Sequence, residues 1–358
     1  MTLPACRTLT KRTVPIIPSA LPATFLSACR SLAQKLAPAL LLAPALVSGT
    51  PAHGASTDDA APLHYRNCGQ EWQLPRPPQR IIALNQHAAD LVLALDGQDR
   101  LIGVSWLDDD AEAAASGLYQ GVPVIARRYP SLEAVLAHES DFLVAGFATA
   151  FMPGRGPGTR DALNAERIGS YLIEEACDPM QHTADAFGDV LHDLRTMGRL
   201  LGAEQRAQTL ADRFSSQLAA ARGQPLPRPV NVLVFDSDLR APIVEGGRGF
   251  VTAMLSLSGA RNVFDDLDLS RGNVSWEQVV ARSPDVIVLI DANWSSAADK
   301  RSFLLHDPIL SALPAVRDGR FIELRFTAAV PGIKSGEVLE RLTRELHAVA
   351  AKLPPAAQ

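Results

Sequence analysis

One local pattern occurs twice in the chain and limits the fold more than any other feature. Ser131-Leu132-Glu133-Ala134-Val135-Leu136-Ala137 is followed after a short gap by Asp141-Phe142-Leu143-Val144. Ser275-Trp276-Glu277-Gln278-Val279-Val280-Ala281 is followed in the same way by Asp285-Val286-Ile287-Val288. The first half of each copy reads as a helix capped by Ser with Glu in its first turn. The second half reads as a buried strand. Glu133 and Glu277 stand 144 positions apart in the same register to the strand that follows, so the chain reads as two lobes on one plan.

The flanking sequence supports this. Short apolar runs at 81–84, 101–106, 122–126, 141–145 and 171–174 read as strands, with helical spacing from His87 to Leu95 and a Gly/Pro-rich loop from Phe151 to Arg160. Strands alternating with helices predict an α/β lobe with a mainly parallel sheet flanked by helices. Two helical stretches follow with no strand between them, 184–201 and 204–221, and Pro225, Pro227 and Pro229 end the second. The rhythm then restarts, with strands at 230–235, 242–244, 285–290 and 320–325 and helices at 250–257, 276–281 and 336–351. The expected organisation is an N-terminal lobe over 55–180, a helical connector over 181–224 and a C-terminal lobe over 225–358.

Residues 1–54 have the layout of a secretory signal peptide. Basic residues come first, no acid precedes Asp58, an apolar run spans Leu36 to Val47, and Ala52-His53-Gly54 offers small residues for cleavage. Leu26-Ser27-Ala28-Cys29 has the letters of a lipoprotein box, but its apolar run follows the Cys instead of preceding it. Cleavage near residue 54 would remove Cys6 and Cys29. Cys68 and Cys177 would remain in an oxidising compartment, which suggests one disulfide, the other reading being two unrelated buried thiols. The net charge of −5 provides no basic field for nucleic acid.

Ligands of open parallel sheets bind beyond the carboxyl ends of the strands. The candidate ligand-binding residues are therefore Gln86, Trp106, Arg128, Tyr129, Phe147 and Arg155 in the first lobe. In the second they are Asp236, Arg248, Trp294 and Phe326. Aromatic walls with arginine clamps would suit a bulky, partly anionic small molecule. Each of these residues also has a plainer reading as core or solvated surface. Gly246-Gly247-Arg248-Gly249 lacks the spacing of a phosphate loop and reads as a turn. The histidines are scattered, so no metal site and no resident cofactor is expected, and His87 reads as structural. No Gly-x-Ser-x-Gly elbow occurs, and no arrangement of residues calls for catalysis.

These residues carry a resemblance. Residues 78–85, 91–104, 131–144, 262–264, 275–289 and 331–333 resemble, in order, the iron-siderophore and cobalamin class of substrate-binding proteins of ABC transporters. Asn67-Cys68-Gly69 and Ala176-Cys177 are similar to one branch of it. The resemblance implies two lobes joined by a single long helix, here over 204–221, and only a small closing movement. It implies that Glu133 and Glu277 dock onto arginines of a permease dimer driven by its ATPase. It implies a monomer in the periplasm that captures a bulky metal chelate of the ferric siderophore type. Cobalamin is the runner-up, beside haem and deazaflavin-type ligands, and a non-transport sensor or scaffold is the reading from another class.

Overall fold

The computed structural model describes residues 62–177 and 185–354. The signal peptide read over 1–54, with Cys6 and Cys29, lies outside the described residues, as does Ala184.

The described chain opens with an antiparallel hairpin, β1 (Leu63–Asn67) and β2 (Gln70–Leu74). Its two-residue turn, Cys68-Gly69, has φ of 55° and 71°, the sign such tight turns need. The hairpin docks through side chains. Asn67 Nδ2 donates to the Leu172 carbonyl at 2.8 Å, and Asn67 Oδ1 accepts from the Leu172 N–H at 3.0 Å. Tyr65 donates to the Ser170 carbonyl at 2.7 Å. A disulfide joins Cys68 to Cys177, so this pairing is present as expected.

The first lobe holds five parallel strands, β3 (Ile81–Leu84), β4 (Leu101–Ser105), β5 (Val124–Ala126), β6 (Phe142–Ala145) and β7 (Gly169–Leu172). Their order is β5-β4-β3-β6-β7. All residues of β3 and β6 are buried, which is why they read as unbroken apolar runs. The last strand lies two residues earlier than the sequence reading of 171–174. Gly169 and Ser170 carry no apolar signal, yet they pair with Phe142 and Leu143. Helices α1 (Gln86–Ala94), α2 (Asp110–Ser116), α3 (Leu132–Ala137) and α4 (Arg160–Ala165) complete the lobe.

Two helices follow, α5 (Ala186–Leu201) and α6 (Glu204–Arg222). Gly202, at φ 65°, ends the first in the left-handed conformation that glycine allows. The second has 19 residues, about 28 Å at 1.5 Å per residue. Phe187, Val190, Leu194 and Met197 of α5 and Ala207, Ala211, Phe214 and Leu218 of α6 are buried in one continuous core.

The second lobe is mixed. The strands are β8 (Asn231–Ser237), β9 (Ile243–Glu245), β10 (Arg261–Asn262), β11 (Arg271–Asn273), β12 (Val286–Asp291) and β13 (Phe321–Arg325). They run in the order β11-β9-β8-β12-β13, with β10 beside β8; β8, β12 and β13 are parallel, β9 runs antiparallel to β8, and β11 runs antiparallel to β9 and so in the direction of β8. Helices α7 (Phe250–Leu257), α8 (Trp276–Arg282), α9 (Ala297–His306), α10 (Pro314–Arg317) and α11 (Ser335–Ala350) surround it. The core shared with α5 and α6 includes Val232, Val234, Val288 and Leu339, so the connector is packed into both lobes. Gly246 and Gly247 lie against the backbone of 265–269, where a Cβ would come within 2.4 Å of a carbonyl oxygen. They allow a close backbone approach, in keeping with a turn.

Candidate functional site

The carboxyl ends of β3 and β4 carry strained backbone. Asn85 follows β3 at φ 98°, ψ 152°, and Trp106 follows β4 at φ 49°. Such conformations cost on the order of 1–3 kcal/mol each and persist where the surroundings fix them. The two positions adjoin, because Leu84 pairs with Ser105 and Asn85 N donates to the Ser105 carbonyl at 3.0 Å. Above them Tyr129 donates to Asn85 Oδ1 at 3.2 Å and shares a hydrogen bond with Thr149 at 3.0 Å. The Trp106 ring lies 4.7 Å from that of Tyr129, and the Arg128 guanidinium lies 5.8 Å over Trp106. Gln86 is fully buried; its Oε1 accepts from Asp109 N at 2.8 Å, while its Nε2, Asn85 Nδ2, Ser105 Oγ and Asp108 Oδ2 have no partner among the described residues. Burial pushes the Asp108 carboxyl up to about 7, so a proton there suits the dry surroundings.

At the end of β6, Gly146 makes room for His87. A Cβ on Gly146 would lie 2.2 Å from the imidazole ring. His87 Nε2 meets the Gly146 carbonyl at 3.1 Å, and burial holds the ring below the usual histidine range. This neutral imidazole has a structural post, bracing Phe147 edge-on at 4.9 Å. Among the described residues no group of three or more His, Cys, Asp or Glu could hold a metal ion.

The second lobe meets this wall with aromatic rings. Phe326 follows β13 and lies 6.3 Å from Phe147 across the lobes, and Trp294 stands edge-on to Phe326 at 4.8 Å. Trp294 is 58% exposed, which for so large a ring marks a surface open to contact. Asp236, at the end of β8, lies 3.6 Å from the Arg271 guanidinium, which also sits 5.9 Å over Phe326. A cavity of about 200 Å³ lies between the lobes, lined by Phe147, Thr149, Glu175, Glu245, Phe250 and Arg271 among others.

One flank of the cleft is clasped by polar contacts. Asn293 Nδ2 donates to the Asp108 carbonyl at 2.9 Å, and Arg325 meets Asp109 at 3.0 Å. Lys334 lies 2.8 Å from Asp90 and 2.9 Å from Glu112, and Thr327 donates to Glu112.

Comparison with known proteins agrees with this architecture. The family described as "Periplasmic binding protein" matches residues 81–328. The chain belongs to the periplasmic binding protein family. A vitamin B12-binding protein of Vibrio parahaemolyticus is 23% identical over 217 residues, which is 59% of this chain and 70% of that one. A periplasmic binding protein from Veillonella parvula superposes with a TM-score of 0.70 at 22% identity, covering 80% of this chain and 98% of that one. An ABC-type Fe3+-hydroxamate transport system protein from Saccharomonospora viridis does so with a TM-score of 0.66 at 24% identity, covering 79% and 98%. These structures share its two-lobed α/β fold.

In this periplasmic binding protein, the cleft brings together Gln86, Trp106, Arg128 and Tyr129 on one wall, with Phe147, Asp236, Trp294 and Phe326 around the meeting of the lobes. Two expected arginines stand apart from that group. Arg155 is exposed on the turn after Met152, and Arg248 pairs with Asp268. Sequence reasoning passed over Arg271 and Glu245. Arg271 begins a three-residue polar strand with no apolar pattern, and Glu245 reads as a surface charge until its burial is seen.

Glu133 and Glu277 are exposed in the first turns of α3 and α8. Ser131 and Ser275 cap the two helices alike, and hydrogen bonds from these serines hold both carboxyls below their usual range. The duplicated motif thus places two ionised carboxylates at equivalent points of the two lobes.

Lys300 holds the turn that carries Trp294. It is fully buried, and its ammonium donates to the carbonyls of Ile290 and Ser295. Lys300→Met should leave both carbonyls short of a donor and cost about 2–4 kcal/mol. Calorimetry should show the loss of stability, and the emission of Trp294 should shift. A variant as stable as the parent would show that the turn holds without the ammonium.

Proposed function

We propose that this protein captures a corrinoid of the cobalamin type between its lobes and delivers it to an ABC permease dimer and its ATPase. On this reading it is exported by the N-terminal signal peptide, works in the periplasm as a monomer and performs no catalysis. The observation that carries the ligand class is the make-up of the cleft. Rings from both lobes face one another, as Phe147 and Phe326 do, while the two arginines that reach the cleft, Arg128 and Arg271, are matched in number by the acids Glu175 and Asp236. A ferric chelate rich in carboxylate or catecholate charge calls for a cluster of arginines. Here Arg128 covers Trp106, and Arg248 pairs with Asp268. A large macrocycle fringed with neutral amides suits aromatic walls with this charge balance. The name of the Vibrio relative points the same way.

A thermal-shift panel on the mature protein tests the reading. It would hold cyanocobalamin, haem, ferric hydroxamate, catecholate and carboxylate siderophores, and a deazaflavin. Cyanocobalamin at a hundred times its Kd should add about 2.7 kcal/mol of stability and raise the melting temperature. A shift with a ferric chelate alone would replace the corrinoid with the anionic cargo.

A further inference from the structure

We propose that the cavity between the lobes is a seat for one carbonyl-type acceptor group of the ligand, received by the Arg271 guanidinium and the carboxylic acid of Glu245. The proposal rests on the cleft being the ligand site but not on which ligand enters it.

Arg271 and Glu245 are direct partners across the antiparallel pair β11–β9. Opposite residues in such a pair project from the same face of the sheet, and here both line the cavity. Glu245 is only 5% exposed. Its Oε2 accepts from the Thr252 N–H at 3.0 Å and lies 3.5 Å from the Thr252 hydroxyl. Among the described residues its Oε1 has no hydrogen-bond partner, yet it is not one of the fully buried polar atoms that lack one, so it opens to the cavity. Among the described residues the ion pair of Arg271 is with Asp236 at 3.6 Å, which leaves most of its five N–H donors for a ligand.

The charges facing Glu245 are Arg271 from β11, Asp236 from β8 and Glu175 from the turn before α5. Burial outweighs the help of Arg271 and pushes the Glu245 carboxyl up to about 8. At neutral pH the group is therefore an acid and a hydrogen-bond donor. Two donors then converge on a space of about 200 Å³, enough for a carboxamide or carboxylate but not for a whole ligand. Above pH 8 Glu245 ionises and presents a negative charge to any acceptor. Affinity should be level below that pH and fall up to tenfold for each further pH unit.

Acetamide and acetate are suitable probes, because they carry the group without the remainder of a ligand. In an NMR titration of the full mature chain at pH 7, acetamide or acetate should shift the amides of Ser270, Arg271 and Thr252. Whichever binds more tightly names the source of the carbonyl. Glu245→Leu and Arg271→Leu should each weaken binding at least fivefold. Glu245→Gln should retain it and remove the loss between pH 7 and 9. Should Glu245→Leu fail to fold, Arg271→Leu and the pH profile of the parent carry the test. Amides unmoved by both probes, or a binding curve indifferent to pH and to Glu245, would overturn the seat. Failure of cyanocobalamin to bind would overturn the corrinoid reading alone.

Discussion

Replacing Glu133 and Glu277 together with alanine should cut ligand uptake at least tenfold while leaving affinity and melting temperature close to those of the parent. Both carboxylates are fully exposed, and among the described residues they take hydrogen bonds from their own helix ends alone. Their removal therefore takes nothing from the core. What it takes is a pair of negative charges at matching sites of the two lobes, which a pair of arginines on a permease would read. Uptake in cells that depend on this protein, beside ligand titration of the purified variant, separates the two effects. Unchanged uptake would remove the docking role and leave the glutamates as helix-dipole residues. Single variants should fall between, since on the docking reading either lobe alone would keep one contact.

Loss of the Cys68–Cys177 bridge should have the largest effect on stability. The two cysteines are 109 positions apart. For a closed loop of that size, chain entropy predicts about 4–5 kcal/mol as an upper range, and removal of native bridges typically costs about 2–5 kcal/mol. The double serine variant should therefore melt on the order of 10 °C lower. Calorimetry with and without reductant checks this, and a reduced parent that melts with the oxidised one would refute it. The loss should begin at one place. The bridge ties the turn of the β1–β2 hairpin to the chain just beyond β7, where Asn67 also bonds Leu172 and Glu174. Faster amide exchange in residues 63–74 should accompany the lower melting temperature.

The parts of the fold that were legible in the sequence are those where burial writes a pattern. The apolar runs of β3, β6 and β12 are buried on both faces, so their strands stand out, and α7 spans the residues its pattern indicated. The repeated Ser-x-Glu motif revealed two equivalent helices because one residue must cap and another must point outward. The β1–β2 hairpin was missed, since its strands are mostly polar and its stability comes from Asn67, Tyr65 and the bridge. The cleft was legible through its aromatic residues, which follow strands in plain view. Its charged residues were not. Glu245 and Arg271 lie 26 positions apart and meet because β9 and β11 pair antiparallel, a pairing that no local spacing announces.

The clasp on one flank of the cleft bears on timing. Its ties are ion pairs and hydrogen bonds from Asn293, Arg325, Thr327 and Lys334 to Asp108, Asp109, Glu112 and Asp90. Water can take over the more exposed contacts, such as Arg325–Asp109, at small net loss, and dissolved salt weakens them further, whereas Lys334–Asp90 is buried at its acid end and costs more to part. The hold on that flank is thus set by polar bonds and not by apolar area, with Lys334–Asp90 the hardest of them to part. Tight capture can coexist with prompt release on such a flank, because strength of holding and duration of holding are governed by different atoms.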